Sequence, residues 1–348
     1  MGDIAERKAD HLDLATSGDV AFKQTTTLFE CVRLVHDALP ELSLDSLDLG
    51  QQLLGKPVRV PILIAAMTGG TDRAASINRS LAELAEERGY VFGLGSQRAM
   101  HRRREALASY AVRDVAPSVL LLGNIGIVQA GQMSTAELSD LLAAVGADAV
   151  CVHLNPAMEI VQPNGDRDFR GGLDTLERLL SELSLPIVVK ETGCGLSRSV
   201  AKRLRAIGVK HVDVSGAGGT SWVAVETARA KDGQQALGQS FREWGIPTAA
   251  SVAAVASEGF ATIFATGGLK SGLDVAKAIS LGASAGGIAR PALQALERGG
   301  RAGLADYFLG VERELCAAML LTGSGTVRAL KKAPRVVVGE LREWLKAL

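Results

Sequence analysis

The sequence predicts an α/β protein, a (β/α)8 TIM barrel with an N-terminal extension, and three observations support this prediction. Short apolar runs recur from residue 61 onward, and each precedes glycine or polar residues and then a segment with helical spacing of apolar residues. The runs are apolar throughout, which indicates strands buried on both faces of a parallel sheet. Eight such units in about 290 residues are typical of a closed barrel. The alternative, an open doubly wound sheet, needs a switch point and usually has fewer strands.

The eight predicted strands follow one another along the chain, with helical segments between them. They cover residues 61–67, 91–96, 119–126, 149–153, 186–190, 211–216, 261–268 and 285–291. Helical spacing occurs between them at residues 73–88 and 173–183. Because the carboxyl ends of all barrel strands meet at one face, the polar residues that end these runs are expected to form one site.

Residues 1–54 precede this pattern and form the predicted N-terminal extension, which leaves residues 55–348 to the barrel. The extension is irregular, but it places Arg7, Lys8 and His11 close together in RKADHLDLA. Taken alone, this cluster is typical of a solvated helix start.

Composition argues against several classes of partner. Basic and acidic residues number 38 each, so the chain lacks the charge footprint of a nucleic-acid-binding protein. Only 4% of residues are aromatic, which leaves few platforms for stacked bases. The four cysteines match no metal-binding spacing, and the charged N-terminus has no signal-type apolar segment, so we expect a cytoplasmic protein with reduced thiols. No apolar run is long enough to span a membrane.

Two glycine-rich segments follow the seventh and eighth predicted strands. They are Gly267–Gly272 (GGLKSG) and Gly286–Arg290 (GGIAR). Glycine lets backbone N–H groups approach an anion, and the helix that follows adds its dipole, so loops at these two positions are typical phosphate sites of barrels. Gly216–Thr220, after the sixth strand, extends this cradle. Glycines that serve only tight turns are the alternative.

Charged residues lie at the end of the fifth predicted strand and in the segment after the fourth. A buried lysine needs a partner or a task, so Lys190 is expected to stabilise negative charge on a bound ring, to form a Schiff base, or to pair with a carboxylate such as Glu191. Glu159 and Asp166 are candidate ligands for Mg²⁺, which commonly takes one carboxylate, waters and a substrate phosphate.

Two further features have less specific interpretations. Cys194 lies in a glycine-rich loop and is expected to be an inert thiol unless a base lies beside it. Arg102–Arg104 either steers an anionic substrate or begins a solvated helix.

The sequence resembles the type 2 isopentenyl-diphosphate Δ-isomerases, a family of FMN-dependent barrel enzymes. The segments that carry the resemblance span nearly the whole chain: RKADHLDLA, MTGGT, GLGSQRAM, HLNPAMEIVQPNGDRDF, VVKETGCGLS, DVSGAGGTSW, WGIPTA and ATGGLKSGLDVAKAISLGA. The resemblance implies an isoprenoid-biosynthesis enzyme that interconverts isopentenyl diphosphate and dimethylallyl diphosphate. It also implies FMN, Mg²⁺, NADPH as the flavin reductant, and a homotetramer or homo-octamer. No dinucleotide fingerprint follows a strand, which favours FMN over FAD.

The resemblance also implies roles for individual residues. The residues that would hold FMN are Thr68, Gly69, Gly70, Ser96, Asn124, Lys190, Ser215, Thr220, Gly267, Gly268, Gly272, Gly287, Ala289 and Arg290. The residues that would bind the substrate diphosphate are Arg7, Lys8, His11, His153 and Asn155, and Gln162 is a further substrate-binding candidate. Glu159 would bind Mg²⁺. His153, Lys190 and position 158 are the catalytic candidates.

Met158 departs from the family pattern HLNxxQE, in which glutamine precedes the metal-binding glutamate. A thioether is a poor hydrogen-bond partner and cannot relay a proton. Thr192 is a milder departure, because this chain has KETG where the family has KEVG. Two alternatives to the isomerase therefore stay open: an FMN-binding paralogue, and an FMN-dependent oxidoreductase with a different substrate.

Overall fold

The eight predicted strands form a closed parallel barrel in the computed structural model, which describes residues 4–231 and 233–348, and only the backbone of residues 4–9 and Ser17. We number the barrel strands β1 (Ile62–Ile64), β2 (Val91–Gly93), β3 (Leu120–Gly126), β4 (Ala149–Leu154), β5 (Ile187–Glu191), β6 (His211–Asp213), β7 (Thr262–Ala265) and β8 (Ala285–Ile288). Strand β8 pairs with β1 in parallel, with Gly287 opposite Leu63, and this pairing closes the ring. The predicted TIM barrel is confirmed.

Five strands end earlier than the apolar runs predicted. Strands β1, β2, β6, β7 and β8 stop at Ile64, Gly93, Asp213, Ala265 and Ile288. The residues that follow them leave the sheet and become loops at the carboxyl face. Apolar character alone did not separate strand from loop here, because small residues such as alanine and glycine serve in both.

Fifteen α-helices surround and cap the barrel in the described residues. They are Ile4–Ser17, Asp72–Arg88, Arg98–Arg102, Ile127–Gln132, Thr135–Ala143, Pro156–Val161, Gly172–Glu182, Arg198–Ala206, Trp222–Arg229, Gly233–Ser240, Thr248–Ala256, Gly272–Ser280, Arg290–Leu320, Val327–Leu330 and Gly339–Ala347. Short 3-10 helices occupy Phe29–Cys31, Leu44–Ser46 and Arg104–Ser109. The helices predicted at 73–88 and 173–183 are confirmed to within one residue. Gly300 has a non-helical backbone and kinks the long helix that contains it.

Side-chain alternation along the strands divides the core into two layers. Ile62 and Ile64 of β1 belong to the layer between strands and helices, whereas Leu63 points into the barrel. The barrel interior is filled by aliphatic side chains, Cys151 and Phe264. This filling leaves open space only toward the ends of the barrel, as expected for a packed barrel core.

The predicted N-terminal extension contributes to both ends of the barrel. A hairpin of the strands Gln51–Leu53 and Lys56–Val58 spans the predicted boundary at residue 54 and packs Leu53 and Val58 into the barrel interior. Lys56 Nζ lies 2.6 Å from Asp148 Oδ1, just before β4, so the hairpin covers the amino end. A second pair of strands, Val32–Leu34 and Arg335–Val337, joins the extension to the C-terminal segment.

The four cysteines form no disulfide among the described residues. Within the same residues we find no helix with the length and apolar character needed to cross a membrane.

Candidate active site

A cavity of about 420 Å³ opens at the carboxyl face of the barrel, beneath the N-terminal helix Ile4–Ser17. It brings together most of the residues singled out from the sequence. Those that line it are His11, Thr68, Ser96, Asn124, His153, Asn155, Met158, Glu159, Gln162, Lys190, Ser215, Thr220, Gly267, Gly268, Gly287, Ala289 and Arg290. One architecture thus gathers residues that no linear motif could join.

Three of the glycines assigned to FMN do not line the cavity. A Cβ at Gly69 would lie 2.0 Å from the Tyr110 ring, so this glycine allows a close packing contact. Gly70 N–H donates to Ser109 Oγ at 2.6 Å. Gly272 N–H donates to Glu314 Oε2 at 2.8 Å, where two helices pack. The side chains of Arg7 and Lys8, predicted to bind diphosphate, lie outside the described residues.

The lysine wall, as we define it, consists of Lys190, Ser215 and Thr266, which line the cavity, together with Asp213 behind them. Lys190 Nζ donates to Asp213 Oδ2 at 2.6 Å and to Thr266 Oγ1 at 3.0 Å. The predicted ion pair with a barrel carboxylate is therefore present, but the partner is Asp213 and not Glu191, because adjacent residues of a strand point to opposite faces. Lys190 points into the barrel, where its partner is on the neighbouring strand β6.

Glu191 instead anchors the loop that follows β5. Its carboxylate accepts a hydrogen bond from Thr192 N–H at 2.6 Å and another from Cys194 N–H. Burial raises the pKa of Glu191 to about 7, against the opposing effect of these backbone donors. The loop it holds presents Thr192 and Gly193 to the cavity.

The carboxylate wall consists of Asn155, Met158, Glu159 and Gln162, on and around the helix Pro156–Val161. Glu159 is only 4% exposed. Its carboxylate accepts from Asn155 Nδ2 at 2.8 Å, from Gln162 Nε2 at 3.4 Å and from Asp166 N–H at 2.7 Å. A carboxylate offers about four lone-pair sites, so these donors orient Glu159 without occupying it fully.

Asp166, the second predicted metal ligand, does not line the cavity, but its carboxylate contacts two residues that do. Its Oδ2 accepts from Gln129 Nε2 at 2.8 Å and lies 3.9 Å from Arg98 Nη1. The part of the chain that the structure describes contains no group of three or more His, Cys, Asp or Glu side chains arranged for a metal. Glu159 therefore stands as a single carboxylate among amide donors.

His153 lies at the end of β4, between the two walls. Its Nδ1 donates to Asn124 Oδ1 at 2.7 Å, which fixes the plane of the imidazole. Asn124 is held in turn, since its N–H donates to Gln97 Oε1 at 2.9 Å. Two predicted residues from β3 and β4 thus orient one another.

The N-terminal helix is held over the cavity from two sides. His11 Nε2 lies 2.7 Å from Oε1 of the buried Glu226, and its ring packs edge-on against Trp222 at 5.3 Å. On the other side, Arg290 Nε and Nη2 donate to the backbone oxygens of Ala15 and Gly18, each at 2.8 Å. Arg290, predicted to hold phosphate, therefore also anchors this helix.

The glycine loops after β6 and β7 pack backbone against backbone. A Cβ at Gly219 would lie 2.5 Å from Gly268 Cα, and one at Gly267 would lie 2.2 Å from Gly216 O. Gly267 and Gly268 also have φ angles of 101° and 84°, which side-chain-bearing residues rarely adopt. The close approach brings both main chains to the same end of the cavity.

The residues present are compatible with a bound flavin mononucleotide. Thr68 Oγ1 is buried at the cavity wall without a hydrogen-bond partner in the structure, as expected of a group that meets a ligand. Glycine main chain and the start of the helix Arg290–Leu320 would suit a phosphate group at one end. Lys190 supplies a cation in the interior.

Two features from the sequence lie away from this site. Cys194 Sγ lies 3.4 Å from Trp244 O, and burial keeps the pKa of the thiol above its usual value, which agrees with an inert thiol. Arg102–Arg104 is exposed and does not line the cavity.

Sequence reasoning did not single out Asp213, Thr266, Arg98 or Glu226. Asp213 carried a usable signal, because an acid inside the apolar run HVDVSG must find a buried partner. Arg98 lines the cavity, and its Nε is buried without a partner. Glu226 had no local signal, since its partner His11 is 215 positions away.

The fold and the cavity together define a class, the FMN-dependent α/β-barrel proteins. Residues 153–336 match a protein-family model described as FMN-dependent dehydrogenase, which accounts for just over half of the chain. The match begins at the end of β4 and includes the glycine loops after β6 and β7.

Curated relatives match nearly the full length. The chain is 42% identical to the isopentenyl-diphosphate delta-isomerase of Pyrococcus abyssi, over 97% of this chain and 94% of that protein. It is 43% identical to the same-named protein of Methanothermobacter thermautotrophicus, over 98% and 96%. It is 44% identical to that of a Synechococcus species, over 94% and 95%. The chain belongs to the type 2 isopentenyl-diphosphate Δ-isomerase family.

Solved structures share the fold at much lower identity. A lactate oxidase of Pediococcus acidilactici superposes with a TM-score of 0.69 at 15% identity, covering 96% of this chain and 93% of that one. A flavocytochrome b2 variant gives 0.67 at 17% identity, covering 98% and 84%. At these identities the likeness extends to the fold alone.

Proposed function

We propose that this protein interconverts isopentenyl diphosphate and dimethylallyl diphosphate with FMN as its cofactor. The observation that carries the proposal is the identity of 41 to 44% with relatives named for this reaction, over almost the whole chain. The cavity agrees with it, because Lys190 lies on one wall and Glu159 on the other. Likeness to oxidases is confined to the fold, so it does not favour the oxidoreductase alternative.

The chemistry divides between the cofactor and the chain. When bound and reduced, FMN supplies the acid/base group that moves a proton between two substrate carbons without net redox change. Lys190 provides a fixed positive charge at the cavity. His153, held by Asn124, presents an oriented imidazole between the two walls. Met158 Sδ cannot donate a proton, so the proton does not pass through this side chain.

Glu159 is the proposed Mg²⁺ ligand. Three donors already fix its carboxylate, and its remaining lone pairs suit a hard cation that keeps most of its waters. Glu159 would hold the cation, which would supply positive charge for the substrate diphosphate. Asn155 and Gln162 would then act both on Glu159 and on the diphosphate.

The N-terminal helix would complete the diphosphate site. His11 already lines the cavity, and Arg7 and Lys8 precede it by one turn in the same helix. Residues three or four apart share one helix face. In the sequence Lys8 is three positions from His11 and Arg7 is four, and we propose that both act with His11 on the diphosphate.

The wider setting also follows from the family. We expect NADPH to reduce the flavin, and we expect a cytoplasmic homotetramer or homo-octamer that supplies isoprenoid biosynthesis. The balanced charge of the chain supports a small-molecule substrate rather than nucleic acid.

An omission assay tests the proposed reaction. Purified protein with isopentenyl diphosphate, FMN, NADPH and Mg²⁺ should form dimethylallyl diphosphate, and leaving out FMN or Mg²⁺ should abolish product. FAD in place of FMN should bind more weakly, as measured by the change in the flavin spectrum. Flavin binding without any product would contradict the reaction and favour the paralogue.

A further inference from the structure

The lysine wall contains a closed triangle of hydrogen bonds across three strands. Lys190 on β5 donates to Asp213 Oδ2 on β6 at 2.6 Å and to Thr266 Oγ1, directly after β7, at 3.0 Å. The Thr266 hydroxyl donates to Asp213 Oδ1 at 2.6 Å. Each of the three side chains is therefore held by the other two.

The triangle is buried, but only part of it reaches the cavity. Lys190, Asp213 and Thr266 are 8%, 1% and 3% exposed. Lys190 and Thr266 line the cavity, whereas Asp213 lies behind them. An ammonium group has three N–H donors, and the triangle uses two of them. The third is left for the cavity side.

Asp213 also joins the lysine to the loop after β6. Ser215 N–H donates to Asp213 Oδ1 at 3.3 Å, and Ser215 lines the cavity with a φ of 39°. Both oxygens of Asp213 are thus engaged by groups that belong to the cavity wall. A buried carboxylate with such partners fixes their positions, because low polarity strengthens each contact.

We propose that Asp213 is a positioning residue that holds the Lys190 ammonium against the cavity, where its charge stabilises the reduced form of bound FMN. The inference rests on the proposed function only in that the cavity binds FMN. Reduction adds negative charge to the flavin, so a fixed cation at the wall favours the reduced form. Asp213 itself acts through Lys190.

The position of the two charges decides the sign of the effect. Removing Asp213 removes a negative charge, which taken alone would favour reduced flavin. It also releases the ammonium from its place. The ammonium lines the cavity and Asp213 does not, and electrostatic energy falls with distance. The displacement of Lys190 is therefore expected to dominate.

Flavin titrations of four proteins test the proposal: wild type, Asp213→Asn, Lys190→Met and the double variant. The measured quantity is the midpoint potential of bound FMN. Its difference from the midpoint potential of free FMN gives the ratio of the FMN dissociation constants in the oxidised and reduced states. Asp213→Asn and Lys190→Met should each weaken reduced FMN relative to oxidised FMN by about tenfold, or about 30 mV for two electrons. The double variant should have a potential equal to or slightly above that of Lys190→Met, because Asp213 acts through the lysine and the loss of its own charge favours reduced FMN.

Other outcomes separate the proposal from its alternatives. An unchanged or raised flavin potential in Asp213→Asn overturns the proposal. The proposal is also overturned if Asp213→Asn lowers the potential as much in the Lys190→Met background as it does in the wild type. Thr266→Val keeps the shape of the side chain and should give a smaller shift in the same direction. If Asp213→Asn does not fold, Thr266→Val and its combination with Lys190→Met carry the same comparison. Asp140→Asn, on the surface, is the matched control. Failure of the wild type to bind FMN would instead remove the proposed function.

Discussion

The two walls of the cavity are built by different means. The lysine wall lies on and directly after β5, β6 and β7, and parallel pairing sets Lys190 opposite Asp213 and Asp213 opposite Phe264. The carboxylate wall lies on and beside a six-residue helix, and its hydrogen bonds to Glu159 come from residues within seven positions. Register fixes the first wall, whereas a local segment forms the second. We infer that flavin binding and substrate choice can be changed separately.

The N-terminal helix extends this contrast. It reaches the cavity through contacts between residues more than 200 positions apart, including His11 with Glu226. It also lies outside the region that matches the FMN-dependent dehydrogenases, which begins at His153. We propose that the helix acts on the substrate side of the cavity, as expected for the predicted diphosphate-binding cluster.

The largest expected effect comes from the N-terminal helix. The variant Arg7→Ala/Lys8→Ala should raise KM for isopentenyl diphosphate by about 10²- to 10⁴-fold, because each charge-assisted contact contributes about 1.5–3 kcal/mol. Its FMN dissociation constant should stay within about twofold of the wild type. The surface variant Lys23→Ala is the control, since Lys23 is exposed and paired with Asp19. An unchanged KM would remove both residues from the site.

Glu159→Gln tests the carboxylate wall itself. The amide keeps the size of the side chain but loses the charge that Mg²⁺ prefers, so half-maximal activity should need roughly 10- to 100-fold more Mg²⁺. FMN affinity should not change if the two walls are separable. Asp168→Asn, an exposed carboxylate paired with Arg170, is the matched control. Identical Mg²⁺ titrations of wild type and Glu159→Gln would refute the metal assignment.

Met158→Gln tests whether position 158 of the carboxylate wall takes part in proton transfer. The amide restores a donor and an acceptor at similar length, and kcat should rise by about tenfold, within the range that positioned proton-transfer groups contribute. Met158→Leu keeps an apolar side chain and should leave kcat near the wild-type value. If the wild type is already fast and Met158→Gln is equal or slower, position 158 takes no part in proton transfer.

A further expected effect concerns Glu191, beside the lysine wall, and appears in stability and not in activity. Its pKa is raised from 4.5 to about 7 by burial, so its favourable contribution is present below pH 4.5 and is lost as the pH rises to 7. Across this window the wild type should lose up to about 3 kcal/mol relative to Glu191→Gln. Urea unfolding at several pH values measures this, with exposed Glu177→Gln as the control. Parallel pH profiles for wild type and Glu191→Gln would contradict the assignment.

The barrel could be predicted because its strands are apolar on both faces and recur at regular intervals. The hairpin at the amino end could not, since Gln51–Leu53 and Lys56–Val58 are short and mixed in composition. Their burial depends on the barrel being closed, which no local pattern encodes. The early ends of β6 and β7 were missed because the glycines after them are also compatible with strand.

The candidate site could be predicted where a residue ends a strand, as for Asn124, His153 and Lys190. Because each of them lies at the carboxyl end of its strand, the sequence predicted that they lie at the carboxyl face of the barrel. Their partners depend on strand order and register, so Asp213 and Thr266 emerged only from the structure. Arg290 was predicted from the sequence, but the hydrogen bond from its guanidinium to the backbone of the N-terminal helix emerged only from the structure.

Isomerisation in D2O with anaerobically reduced FMN and Mg²⁺ tests directly whether the protein moves a proton between substrate carbons without net redox change. A proton moved between carbons without net redox change should give dimethylallyl diphosphate that carries solvent deuterium, with many turnovers for each equivalent of reductant. One equivalent of NADPH consumed for each product would show an oxidoreductase instead. Bound and reduced FMN with no deuterated product would contradict the proposed function outright.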